Sequence, residues 1–544
     1  MKIKDWDIWH VYSSFLDVTN LSLHNIAYKA VKSKLAVCAL HRDGETWWQT
    51  NQGVKVGFTK IEMNSQSTGA CIKKEMQLNE GEELDAYTLE AWYQASYFRF
   101  SEMKLCNEEA NSPEYIRLVL SEFHLTSKEY EIGVVLYPVI KLYENGIVLV
   151  QFRSISNGKN TLINDFINRY VNLSQIPFDD IKVGPAIAQL AAPAYHHALY
   201  KFNFISRIRI LFSEKLHNQT VLKMVETIKS GDFSASLCSL PRQDGFKETL
   251  STVAKSIFSI LAFLASNPRN GLAYVLFGQR KIIGVGNFWN GRPHIYLLTF
   301  YGQKNTSREN INAYGDKFGS IIGRHAAIGA DASIKYLPKD VRPFDDYSAL
   351  IAKTGTLWVW SKNGKKQQKI QADANRGHLI YEQQVTVEML EYGYMLHRAL
   401  LSKVDKISEV KEAYELRWSI NNLKISIYEQ TNFGEIQELL RFGWNEFGIN
   451  DLHGNISEAL SIRSEQASLR EETLNEKNNR WLTILFGVIT VPSLAEDVLE
   501  PAWSLLGWWN PVSDSGKTLF FIGISFVVVV LGLVAIPRLW RAGH

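Results

Sequence analysis

Thr518-Leu-Phe-Phe-Ile-Gly-Ile-Ser-Phe-Val-Val-Val-Val-Leu-Gly-Leu-Val-Ala-Ile536 runs for 19 residues without a charge. As a helix rising about 1.5 Å per residue it would measure roughly 28 Å, close to the ~30 Å hydrocarbon core of a bilayer. This predicts a membrane-crossing helix over 518–537. Working back from it, Trp481 to Ala495 is a second uncharged run. Past Glu496, Asp497 and Glu500 its apolar character resumes from Pro501 to Trp509. Two runs so close together predict a hairpin: first span and outer extension 481–509, outer loop 510–517, second span 518–537. Trp481, Trp503, Trp508, Trp509 and Trp540 sit where interfacial aromatics anchor helix ends.

Basic residues set the orientation. Arg463, Arg470, Lys477 and Arg480 precede the first span, and the tail 538–544 carries Arg538 and Arg541. The connecting loop is acidic. The positive-inside rule then predicts a multi-pass protein of the inner membrane with both ends in the cytoplasm. Upstream, Asn455-Ile-Ser-Glu458 reads as a capping box opening a stalk helix over 455–480. Asn479, Thr483, Gly487, Thr490 and Leu494 step by three and four, which places them on one helix face. A small, hydroxylated face suits a pore lining; it equally suits close packing between transmembrane helices. A pore needs several copies of the chain. Glu496, Asp497, Glu500 and Asn510 would then surround its outer mouth.

This arrangement resembles the CorA-like metal ion transporters: a large cytoplasmic domain, a long stalk entering the first span, a short outer loop, and a second span with a basic tail. The local match is Leu482-Thr483-Ile484 at the start of the first span, with Pro492 about ten residues on. The family's Gly-Met-Asn signature is absent, and Gly507-Trp508-Trp509-Asn510 is its nearest echo. The resemblance covers the last ~90 residues. It implies a homo-oligomer (a pentamer in that family), a lipid-bilayer setting, and Mg2+ as transported or regulatory ion. It leaves the metal ligands unassigned.

The remaining chain reads as a cytoplasmic body. Residues 1–375 mix strand and helix signals, with two subdomains as one option, divided near 160–270. Residues 376–454 read as a helical bundle bracing the stalk. The predicted fold class is therefore α+β: a large mixed α/β body, a long stalk helix and a C-terminal two-helix transmembrane hairpin. Within the body, Glu131–Tyr143 and Gly146–Arg153 flank Asn145-Gly146, a strong hairpin signal because Asn-Gly tolerates positive φ. A second β region is expected at Leu272–Phe277, Lys281–Phe288, His294–Phe300 and Thr356–Trp360. Leu35–Leu40 reads as a buried strand, Leu84–Met103 as a helix, and Leu250–Leu264 as an apolar helix.

Chemistry-bearing motifs are sparse. A formal charge of +3 on 544 residues gives no nucleic-acid footprint. The four cysteines lack metal-ligand spacing. The N-terminal stretch has no apolar signal-peptide core. His196-His197 are adjacent and so do not converge on a helix or a strand. Gly284-Val-Gly286 lacks a third glycine, and Gly315, Gly319 and Gly323 fit close helix packing. No Walker A, HExxH, Gly-x-Ser-x-Gly or Cys-x-x-Cys is present. The expectation is a non-enzyme: an ion channel or transporter passing divalent cations and gated by its cytoplasmic body. Two alternatives stand beside it. One, implied by the resemblance because CorA-like proteins occur in bacterial antiviral systems, is a membrane effector opened by a small nucleotide held in the β region 271–361, with its loops around Gly284–Gly291. The other is a membrane-tethered scaffold or enzyme.

Overall fold

Lys2–Phe15 forms β1, a 14-residue strand in the middle of a large sheet. The coordinates are a computed structural model. They describe residues 1–187 apart from 19, 51, 64–70, 79–82 and 107–112; then 238–239, 248–266, 276, 283–286, 291–404 except 327–328 and 370–372, 407, 410–417, 431, 433–505, 516–517 and 519–527. The described chain divides into two compact units, Met1–Lys403 with Trp418–Ile456, and Val404–Arg417 with Ser457–His544.

The first unit is mixed α/β. Its strands are β1, β2 (Cys38–His41), β3 (Glu45–Thr50), β4 (Gly53–Met63), β5 (Cys71–Gln77), β6 (Tyr115–Val119), β7 (Phe123–Ser127), β8 (Ile132–Tyr143), β9 (Ile147–Ile155), β10 (Thr161–Leu162), β11 (Asp180–Val183), β12 (Cys238–Ser239), β13 (Arg292–Phe300), β14 (Tyr347–Ala352) and β15 (Gly355–Trp360). Their main path runs β14-β15-β13-β1-β9-β8-β6-β2-β3-β4-β5. Along that path every pairing is antiparallel except β13 with β15. β1 therefore joins the predicted hairpin, as partner of β9, to the predicted second β region, as partner of β13. The hairpin turn falls at Asn145-Gly146, where Gly146 has φ +89°. A Cβ there would also lie 2.6 Å from the Leu16 carbonyl oxygen, so glycine is required twice over.

Because side chains alternate across a strand, the sheet has two distinct faces. On one, Tyr12, Ile116, Leu118, Ile140, Leu142, Val148, Val150 and Phe152 meet α1 (Leu23–Lys32) and α3 (Leu250–Ala265). α3 is thus a core helix, buried along its apolar length. Farther along the same face, α4 (Ser307–Gly323) covers β13 and β15. It begins at the Thr306/Glu309 capping box. Gly315, Gly319 and Gly323 do serve close packing: a Cβ on Gly319 would come within 1.9 Å of the Ser333 carbonyl oxygen. The opposite face is covered by α2 (Ala86–Leu105) and α5 (Asp373–Val404). Asp85 caps α2, its carboxylate accepting the Thr88 amide at 2.8 Å.

Several boundaries differ from the sequence reading. The buried strand begins at Cys38 rather than Leu35. α5, expected among the braces of the stalk, packs on the sheet, with Ile380, Val387, Leu390 and Met395 fully buried. α6 (Gly434–Glu446) follows, and α7 runs unbroken from Ile449 to Ser493. Asn455 is consequently inside a helix and caps nothing. The stripe Ile449, Leu452, Ile456 and Leu460 is buried or half-buried, and that burial overrides the turn signal of Gly454. The two Gly284-Val-Gly286 glycines extend β1 through an isolated Leu16–Val285 bridge, and the rest of 272–288 lies almost wholly outside the described residues. His196 and His197 also lie outside them.

Candidate functional site

The predicted pore residues fall on α7 and its continuation. Helix persists past Ser493 through a π-helical turn (Leu494–Leu499) into α8 (Glu500–Leu505). Asn479, Thr483 and Thr490 are exposed, and the Thr483 hydroxyl donates to the Asn479 carbonyl at 2.7 Å. Gly487 and Leu494 have helical backbone. Trp481, Leu482, Leu485, Phe486 and Ile489 are each more than half exposed. At 3.6 residues per turn this bulky set and the small polar set centre roughly 130° apart, so the helix carries two distinct faces. Residues 519–527 are also helical and fold back on α8: Trp503 packs edge-on against Phe520 and Phe521, and Lys517 reaches Glu500 at 3.1 Å. Of the predicted mouth residues, Glu496 and Asp497 are exposed and Glu500 is half-buried in that ion pair. Asn510, most of the outer loop, the second span past Val527 and the basic tail lie outside the described residues. Among the described residues, no helix is long and apolar enough to cross a membrane.

A second cluster escaped the sequence reading. Between the sheet and α5 runs a seam of buried polar side chains. Arg117 on β6 makes a bidentate pair with Glu388 of α5, at 2.7 and 2.8 Å, and reaches Glu102 of α2 at 2.7 Å. Lys141 on β8 bonds Glu102 and, at 2.9 Å, Glu388. Gln151 donates to Glu388 at 2.6 Å and accepts from Gln384 at 2.6 Å; Tyr296 donates to Gln384 at 2.5 Å. One helical turn along, Arg292 pairs with Glu391 at 2.8 Å, beside Ser13 and His294. Arg153 grips Asp7 through three short contacts and donates to Tyr381.

The seam is electrically closed. Burial pushes the Glu388 carboxyl up, but Arg117 and Lys141 more than offset this and hold it down at about 2. Burial lowers the basicity of His294 more than Glu391 restores it, so this imidazole is neutral near pH 7. Four cations, Arg117, Lys141, Arg153 and Arg292, thus face four carboxylates, Glu102, Glu388, Asp7 and Glu391, with Arg117 and Lys141 each shared between Glu102 and Glu388. The network links α5 to five strands, β1, β6, β8, β9 and β13. A faint signal was present: Arg117, Lys141, Gln151 and Arg153 occupy alternate positions in apolar strands, and Glu388 and Glu391 stand three apart in an apolar helix.

The first unit has other features besides the seam. A cleft of about 310 Å³ is lined by Lys104, Arg342, Tyr347, Trp358, Trp360 and Phe433 among others. Its cations are already paired, Lys104 with Glu382 at 2.7 Å and Arg342 with Asp346 at 2.8 Å. Among the described residues, His24, His41 and Asp43 form the group with metal-ligating potential.

Comparison with family models, with curated proteins and with solved structures finds no match for this chain.

Proposed function

We propose that the chain is an oligomeric membrane protein of CorA-like type. Its C-terminal helices would enter the inner membrane, with both chain ends cytoplasmic, and conduct divalent cations such as Mg2+ under control of the cytoplasmic body. The supporting observation is the exposed apolar face of α7 beyond Arg480. Trp481, Leu482, Leu485, Phe486 and Ile489 are large exposed apolar side chains on one side of the helix, and Leu505, Leu519, Phe526 and Val527 are exposed as well. A patch of this kind calls for a bilayer or a partner copy. The Asn479–Thr483–Gly487–Thr490–Leu494 face would then turn toward a shared axis, and Glu496 and Asp497 would concentrate cations at the outer mouth.

The test is ion flux in liposomes carrying the purified chain, with magnesium and potassium assayed separately. Asp497→Ala should reduce cation flux. Glu500→Ala should reduce it less, because Lys517 already neutralises Glu500. Inserted protein that passes no ion under any metal condition would overturn the transporter reading. A second reading is an effector opened by a nucleotide; the cleft lined by Tyr347 and Phe433 favours it, because the exposed Phe433 ring is open to base stacking. Flux that appears only on nucleotide addition would select it.

A further inference from the structure

His24 lies in the first turn of α1, His41 ends β2, and Asp43 sits in the tight turn to β3. The three residues are separated by up to 19 positions in sequence, yet their ligand atoms all lie within 4.8 Å of one another. The turn that gathers them is held firmly. Arg99 donates to the Asp43 carbonyl at 2.8 Å and to the His41 carbonyl at 3.3 Å. Gly44 has φ +114°, and a Cβ there would meet the Arg99 guanidinium at 2.6 Å. His41 is nearly buried, whereas the side chains of His24 and Asp43 are more than half exposed. The site is therefore anchored below and open above.

Two more carboxylates stand around it. Glu45 is 3.0 Å from His24 Nε2, and Glu114 is 3.6 Å from His41 Nε2. The two rings lie 4.6 Å apart, and Trp47 packs edge-on against His24. A metal-ligating histidine commonly gives its second ring nitrogen to a carboxylate, which fixes the ring's orientation. Glu114, 3.6 Å from His41 Nε2, would close on that nitrogen, and Nδ1, which faces Asp43 Oδ1 at 2.9 Å and accepts the Asp43 amide at 3.4 Å, would exchange the long amide contact for the metal.

We propose that His24, His41 and Asp43, with Glu45 beside them, form a binding site for a zinc-like divalent transition metal. The donor set decides the class. Two imidazoles with carboxylate suit Zn2+, Co2+ or Ni2+, whereas Mg2+ favours an all-oxygen shell. Binding at about 2.0–2.2 Å draws the four groups inward and replaces the imidazole–carboxylate contacts by metal bonds. The site belongs to the first unit and is independent of the membrane reading. It ties α1 to the β2–β3 turn.

The experiment is a Co2+ titration of the chelator-stripped full chain, read by its visible d–d absorption and by competition with Zn2+. One equivalent should bind with the intense band of a four-coordinate site, and Zn2+ should abolish the band. His24→Ala and Asp43→Asn, both at exposed positions, should remove the band while circular dichroism stays unchanged. Glu114→Gln should weaken binding by about 10–100-fold without changing the band shape. Absence of the band in the native chain, or the same band and affinity in His24→Ala and Asp43→Asn, overturns the assignment.

Discussion

Replacing Glu388 by Gln keeps shape and removes one buried charge. In the native seam, Arg117 and Lys141 share two carboxylates, Glu388 and Glu102, all nearly fully buried. Glu388→Gln leaves two cations facing Glu102 alone, a net positive charge between sheet and helix. Removing one partner of a buried pair typically costs about 3–5 kcal/mol, a large share of an ordinary stability of about 5–15 kcal/mol. At about 2.1 cal/mol/K of unfolding entropy per residue, a unit as large as the first loses about 1 °C per kcal/mol, so the melting point should fall by about 3–5 °C. Thermal unfolding followed by near-ultraviolet circular dichroism suits the measurement, because Trp9, Trp358, Trp360 and Trp444 are buried in the same unit. The pH dependence has a definite sign. The Glu388 carboxyl is held at about 2 when folded, against an ordinary value near 4.5. Its stabilisation is therefore complete above about pH 4.5 and lost as pH falls toward 2. The native chain should lose stability across that window, and Glu388→Gln should show a flatter profile there. The double variant Arg117→Met/Glu388→Leu leaves the Lys141–Glu102 pair intact and neutral, and should recover most of the loss. A Glu388→Gln chain melting within about 1 °C of the native one at neutral pH would refute the closed-seam reasoning.

The remaining predictions are of two kinds. The triple change Trp481→Ser, Leu485→Ser and Ile489→Ser removes three of the five bulky exposed residues on one face of α7; it should keep the first span out of the bilayer, so that a tag placed in the 510–517 loop is labelled from the cytoplasmic side, and a loop tag still labelled only from outside would count against insertion through this segment. Gly319→Ala places a Cβ within 1.9 Å of the Ser333 carbonyl oxygen, so α4 must separate from the short helix Ala330–Ile334 that carries Ser333, at about 1–3 kcal/mol measured by denaturant unfolding. Gly323→Ala, whose Cβ would meet Tyr336 at 3.1 Å, should cost less.

Local signals were legible wherever neighbouring residues settle the matter. The Asn145-Gly146 hairpin is one example, since a tight turn needs positive φ and the residues that permit it stand side by side. α2, α3 and the close packing at Gly319 follow in the same way from spacing along one helix. The apolar runs after Arg480 were equally plain, because sustained hydrophobicity is a property of sequence alone. The capping box at Asn455 fails for a related reason: a cap is a local preference of about 1 kcal/mol, and burying Ile449, Ile456 and Leu460 outweighs it.

Other features depended on residues hundreds of positions apart. Lys2–Phe15 becomes a central strand only because Ile147–Ile155 and Arg292–Phe300 pair with it on either side. Glu388 reads as an ordinary helix charge until Arg117, Lys141 and Gln151 arrive from three different strands to neutralise it. His24, His41 and Asp43 have no ligand spacing in the sequence; the packing of α1 on the β2–β3 turn alone makes them neighbours. The sequence by itself determined turns, helix faces and hydrophobic runs, because those follow from dihedral preference and periodicity within a few residues. Strand order, the closed polar seam and the histidine cluster were decided by tertiary structure, because their energies arise from charges and donors brought together only when distant segments lose their solvent.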